Sequence, residues 1–285
     1  MTLNTFQMAF KSLTMGDGTD YDIVDVDGLD SLPAIAQNDI NKSQDWGMWQ
    51  GAYYTAGREV IINIELHATS DAAFRADLDA LNLAVAPVPL TESPLTFLLP
   101  GMTQVSRQVN VRPLARAVLT NLDYVFHKAK IALRFYATDP RIYDSTLSTV
   151  STGLPAATGG VSWPTTWPIA WGSASGSGVV AVTNSGTFPT RPLLTIQGPV
   201  DNPTIENLTT GQKLTFLLSL SASDVLTVDL LNHTVILNGT ASRRGAMTTD
   251  SSWWELPPGT SNIAYHANTV QTGSLLTISW RSAWI

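Results

Sequence analysis

Arg58-Glu59-Val60-Ile61-Ile62-Asn63-Ile64-Glu65-Leu66-His67-Ala68 sets Val60, Ile62, Ile64 and Leu66 on one parity and Glu59, Asn63, Glu65 and His67 on the other. Side chains alternate across a strand, so a period of two predicts a half-buried β-strand. Just downstream the period changes. Ser70 is placed to cap a helix whose Phe74, Leu78, Leu81 and Val85 form one apolar stripe, with Arg75, Asp77 and Asp79 opposite. Pro87 and Pro89 end it, because proline lacks the amide hydrogen that a helix interior needs.

Outward from this pair, residues 95–99, 109–126 and 128–138 read as further strands. The last is the clearest, with Ala129, Ile131, Leu133, Phe135 and Ala137 against Lys128, Lys130, Arg134 and Tyr136. One helix among several strands predicts an α+β domain or a barrel with a helical cover, since a doubly wound sheet would repeat the βαβ unit. Asp139-Pro140 closes this first region, taken as residues 1–144.

From residue 145 to 178 the composition shifts to Ser, Thr, Gly and Pro, and a linker or long loop is expected over 153–178. Trp163, Trp167 and Trp171 lie inside it at a spacing of four, beside Pro164 and Pro168. Beyond it come short apolar runs at 179–183, 193–197, 214–220, 225–230, 234–237, 262–266 and 275–280. Each is bounded by turn residues such as Asn184-Ser185-Gly186, Gln197-Gly198-Pro199 and Asn238-Gly239. That cadence predicts a second domain, 145–285, built as a β-sandwich or jelly roll.

Composition narrows the function. Charged residues are 14% of the 285, well under the quarter usual for soluble domains, which suits a turn-rich β-protein or a subunit covered by neighbours. The formal net charge is −7 and the 16 Lys plus Arg form no run, so no counterion-releasing face for nucleic acid is visible. Cysteine is absent, which removes disulfides, thiolate metal sites and a cysteine nucleophile. The first residues show no basic segment followed by an apolar one, and no apolar run reaches the length of a membrane span. Synthesis and folding in a cytoplasm, without membrane insertion, are expected.

The search for chemistry returns little. His67, His127, His233 and His266 are scattered, with no second ligand at helical or hairpin spacing. No nucleophile elbow or phosphate-binding glycine loop is present. The acidic series Asp17, Asp20, Asp22, Asp25, Asp27 and Asp30 lacks the calcium-loop spacing and reads as solvated turns. Asp224, Asp229, Asp250 and Glu255 could serve a glycosidase only if folding paired two of them. Trp163, Trp167, Trp171 and Trp253 could contact a carbohydrate or a protein partner, as could Trp254. No catalytic, cofactor or metal residue is predicted.

Several segments, in order, are similar to the distal tail protein family of siphophages. They are residues 192–207 (PLLTIQGPVDNPTIEN), Leu226-Thr227-Val228-Asp229, Val235-Ile236-Leu237-Asn238-Gly239, and residues 254–263 (WELPPGTSNI). Residues 135–143 (FYATDPRIY) resemble that family's junction between domains, and Gly28-Leu29-Asp30-Ser31-Leu32-Pro33 its early segment. The stretch from Trp163 to Trp171 departs from the pattern, in the manner of an actinophage elaboration. The resemblance implies a mainly β chain: an N-terminal α+β, β-barrel-like, ring-forming domain with one helix, then a galectin-like β-sandwich.

It further implies a structural virion protein at the distal end of the tail, made in a bacterial host. This protein would form a hexameric ring between the tail tube protein and the tail-tip or baseplate hub protein. Genome DNA would pass through the channel without specific binding. The alternatives from other classes are a carbohydrate-binding module and a glycoside hydrolase using Asp229 or Glu255.

Overall fold

In the computed structural model, which describes residues 3–4, 6–102, 105–155, 167, 178–269 and 271–285, the chain forms two compact units, Met1–Ser145 and Thr146–Trp284. In the first unit the strands are β1 (Gln7–Phe10), β2 (Leu13–Gly16), β3 (Tyr21–Asp27), β4 (Ile35–Ala36), β5 (Ile40–Asn41), β6 (Met48–Trp49), β7 (Tyr54–Thr55) and β8 (Arg58–His67). They are followed by the helix α1 (Asp71–Ala84), then β9 (Ser93–Leu98), β10 (Arg107–Leu119), β11 (Lys128–Ala137) and β12 (Ile142–Asp144). The opening alternation is borne out: Val60, Ile62, Ile64 and Leu66 of β8 and Ala129 to Ala137 of β11 turn alternate side chains into the core.

The antiparallel order is β2-β1-β9-β10-β11-β8-β3. β10 serves two layers. Residues 107–111 pair with β9, a register shift follows between Pro113 and Ala115, and the rest pairs with β11. A bulge bends a strand and raises its twist, which lets one strand pass from one layer to the next. Phe10 on β1 meets Phe135 on β11 at 4.9 Å between ring centroids, so the layers pack face to face. α1 starts where Ser70 predicts: its Oγ accepts from the Ala73 amide at 3.2 Å, and Phe74, Leu78 and Leu81 are buried.

Two expectations for this unit need correcting. The strand predicted over 109–126 ends at Leu119, and Leu122–Phe126 is a 3₁₀ turn with no buried side chain. The acidic series does not lie only in turns, because Asp22, Asp25 and Asp27 stand on the exposed strand β3.

The second unit holds β13 (Ser148–Gly153), β14 (Val179–Asn184), β15 (Leu193–Gln197), β16 (Val200–Asp201), β17 (Thr204–Asn207), β18 (Gln212–Thr215) and β19 (Ser219–Leu220). β20 (Val225–Asp229), β21 (Thr234–Leu237), β22 (Ala241–Ser242), β23 (Gly259–His266), β24 (Leu275–Trp280) and β25 (Ala283–Trp284) complete it. A sheet β13-β24-β15-β20-β21-β22 and a sheet β14-β23-β17-β18 enclose one core. Ile196, Leu226, Val228 and Ile278 come from the first sheet, Val182, Ile205, Leu214, Ile263 and Tyr265 from the second, and Trp254 with Leu256 from the connection to β23. Each such side chain contributes roughly 1.5–3 kcal/mol on full burial.

The Ser-, Thr-, Gly- and Pro-rich stretch that begins at residue 145 does not start as a loop, because Ser148–Gly153 is a strand paired with β24 from Ser148↔Trp280 to Gly153↔Leu275. The run predicted over 214–220 is interrupted and splits into β18 and β19. Gly198 follows β15, where any Cβ would overlap the Ser221 carbonyl oxygen, so the Gln197-Gly198-Pro199 turn needs glycine there.

Candidate assembly interface

Among the described residues the first unit leaves open strand edges at both ends of the order, β2 and β3, and a further one along part of β10. β3 pairs with β8 on one side only, and residues 115–119 of β10 pair with β11 on one side only. The backbone amides and carbonyls along an open edge invite another strand. The β3 and β10 edges carry opposite charge. Asp22, Asp25 and Asp27 are exposed on β3, whereas β10 exposes Arg112 and Arg116, and adjacent β11 exposes Lys128 and Lys130.

Between β3 and β8 the chain runs out into an arm, residues 34–56, built as a hairpin with the rungs β4–β7 and β5–β6. Asp39 accepts from the Gly51 amide at 2.8 Å, and the Lys42 ammonium lies 4.9 Å from the Trp49 ring centre. Ile40, Trp46, Met48, Trp49, Tyr53 and Tyr54 are all exposed, Trp46 to 94%. Nothing in the sequence reading marked this segment, because it has neither a sustained period of two nor a helical stripe.

The root of the arm is fastened by Arg58, which is 1% exposed. Its Nη1 donates to the carbonyls of Gly28, Leu29 and Ser31, and its Nε donates to the Pro140 carbonyl at 2.8 Å. Burial lowers its pKa, with Asp30 partly opposing the shift. Gly28 sits at φ +90°, where a Cβ would strike the Glu59 carbonyl, so the Gly28-Leu29-Asp30-Ser31 motif encodes this root.

A cleft of about 410 Å³ lies between the C-terminal end of α1 and the β10 bulge, lined by Val85, Ala86, Pro87, Pro113, Leu114 and Arg116 among others. A second cleft, of about 370 Å³, crosses β3, β8, β11 and β10 and is mostly apolar, with Val24, Ile64, Val118, Leu119 and Ile131 in its lining.

The residues weighed for chemistry are spread over the fold. His127 Nε2 meets Asp71 Oδ1 at 2.9 Å, His67 lies 3.7 Å from Asp22, and His233 stacks on Trp253 at 4.8 Å. Among the described residues no three potential metal ligands come together. Each of the four acids weighed for glycoside hydrolysis has a local partner. Asp224 accepts from Ser221 and Asn238, which holds its pKa down at about 2, and Asp229 accepts from the Leu231 and Asn232 amides. Asp250 takes Lys213 at 2.7 Å, and Glu255 takes Arg191 at 2.6 Å.

Of the tryptophans, Trp163 and Trp171 lie outside the described residues and Trp167 is exposed. Trp253 is half-buried against the sandwich core, with His233 stacked on it and the Arg244 guanidinium 5.7 Å from its ring centre. Trp254, its neighbour in sequence, is 1% exposed within the core.

Residues 185–284 match the family of the siphovirus-type tail component, C-terminal domain. The whole fold is similar to the SPP1 Dit protein, described as a paradigm of the hub adsorption apparatus in phages that infect Gram-positive bacteria. That likeness has a TM-score of 0.68 at 15% identity, over 99% of this chain and 100% of that one. It is also similar to a chain of the phage P2 baseplate, in its calcium form at a TM-score of 0.52 and 8% identity over 97% and 98% of the two chains. In the strontium form the values are 0.50 and 9% over 96% and 97%. No curated protein matches its sequence. The chain is mainly β; its residues 185–284 match the siphovirus-type tail component, C-terminal domain, and its fold along the whole length is similar to that of the SPP1 Dit protein.

Proposed function

We propose that this protein is the distal tail protein of a siphovirus-type virion: a structural subunit of the tail end that assembles six copies into a ring between the tail tube and the tip hub. The observation that carries the reading is fold likeness to the SPP1 hub protein over the full length of both chains, joined to the family match over the sandwich. Residues 1–144 then form the ring and residues 145–285 the galectin-like sandwich.

The open edges support self-assembly. β10, β11, β8 and β3 run alternately down and up, since every neighbouring pair is antiparallel. A copy rotated about an axis along the strands therefore sets its β10 antiparallel to β3, continuing the ladder without a break. The acidic β3 edge meets the basic β10 edge in that arrangement, and a head-to-tail contact that closes by rotation yields a ring. The net charge of −7 favours passage of DNA through the ring over adhesion to it.

Solution mass across a concentration series tests the reading. Six times the 30.7 kDa chain, or a multiple of that, is expected. A strict monomer at every concentration overturns assembly by the chain itself. Retention of DNA at physiological salt overturns the inert channel.

A further inference from the structure

We propose that the arm, residues 34–56, is a strap between copies that lies over the cleft between α1 and β10 on the adjacent copy. This inference rests on the ring reading above and names the partner of its edge. Three observations lead to it.

First, the arm cannot be accounted for within its own unit. From root to tip it spans about ten residues, or roughly 33 Å at strand rise, against a radius of gyration of about 15 Å for a domain of 145 residues. A lone two-stranded hairpin is marginal in water, and this one leaves Trp46, Trp49, Tyr53 and Tyr54 exposed. Aromatic and methionine side chains at that density mark buried interface cores. The buried Arg58 that fixes residues 28–31 gives the arm a set direction at its root.

Second, the register places the cleft beside that root. Arg112 pairs with Tyr136, and Tyr136 pairs with Glu59, so the β10 bulge stands level with the first residues after the arm. In the rotated copy next to β3, this bulge and its cleft come alongside the root of the first copy's arm.

Third, the surfaces match. The cleft is apolar through Val85, Ala86, Pro87, Pro113 and Leu114, and Arg116 stands at its β10 side. The arm brings aromatic side chains together with Asp39 and Asp45, of which Asp45 is paired with Lys42 at 3.7 Å. Exposed Leu114 then receives a partner as the aromatics do.

The chain has no cysteine, so one introduced thiol can be labelled alone. Trp49→Cys carrying a benzophenone cross-linker is irradiated in the assembled protein, and the products are sized and mapped by mass spectrometry. The expected product is a two-chain species joined to residues 82–87 or 113–116. Separately, Trp46→Ser with Trp49→Ser and Tyr53→Ser is expected to keep the parent melting temperature while raising the concentration for half-assembly at least tenfold. Cross-links within a single chain, cross-links between chains to another region, or unchanged assembly of the triple variant each overturn the strap while leaving the ring standing. A parent chain that is monomeric throughout overturns the ring reading, and the strap with it.

Discussion

The two units solve the burial of a β-sheet in opposite ways. The sandwich covers itself: two sheets close on one core, and Trp254, Phe216 and Tyr265 disappear into it. The first unit stays unfinished. Eighteen of the 25 large apolar side chains exposed among the described residues belong to it, including those of the arm and the 3₁₀ turn with Leu122, Val125 and Phe126. The lesson is a division of labour, with one unit closed on its own core and the other leaving apolar side chains uncovered.

The strongest way to break this contrast is through the sandwich core. Trp254→Ala should cost about 3–5 kcal/mol, as large aromatic truncations in packed cores do, and be seen as loss of the sandwich transition in calorimetry. Exposed arm substitutions should move that transition by less than about 0.5 kcal/mol. Equal effects from both would erase the distinction.

Arg58→Met should come next, at about 3 kcal/mol in urea unfolding, since it strands buried carbonyls that have no other side-chain donor among the hydrogen bonds of the root. A smaller loss than the arm-surface variants show would mean that water serves the root equally well. Charge reversal sharpens the edge pairing. Asp25→Lys or Arg116→Glu alone should weaken association about tenfold, or ~1.4 kcal/mol, and the double variant should recover it. Failure of the double variant to recover in sedimentation would separate these edges.

The smallest effect is acid sensitivity of the sandwich. Asp224 titrates at about 2, below its unfolded value of about 3.9, so its contribution is complete above about pH 4 and is lost as pH falls through 2. The Asp224→Asn variant should therefore show a shallower fall in melting temperature from pH 4 to 2 than the parent. Identical slopes would assign the acid sensitivity to other carboxylates, of which Asp250, held at about 2 by Lys213 and Thr248, is the next to change.

What could be read directly from residues was what depends on near neighbours. β8, β11 and α1 were legible because each has one wet and one dry face, and Ser70 showed where the helix begins. β13 was not: Ser148-Thr149-Val150-Ser151-Thr152-Gly153 is an edge strand with no buried residue, and its polar composition matches that of a loop. Its partner, β24, lies more than a hundred residues away in the chain. Leu122, Val125 and Phe126 misled in the other direction, since apolar residues normally signal burial and these are exposed. Trp253 and Trp254 could not be told apart by composition, yet one stacks with His233 at the rim and the other fills the core.

The sequence by itself determined the mainly β class with its one α-helix and the order of the main strands. These follow from periods of two and 3.6, caps and turn residues, whose physics acts over a few bonds. Only the tertiary structure decided that Arg58 is buried at the root of an arm, that acidic β3 and basic β10 bound the same four strands, and that the carboxylates of the sandwich are held singly by local partners. Those outcomes depend on which distant segments pair and which edges are left over, and long-range pairing is set by the whole chain's packing.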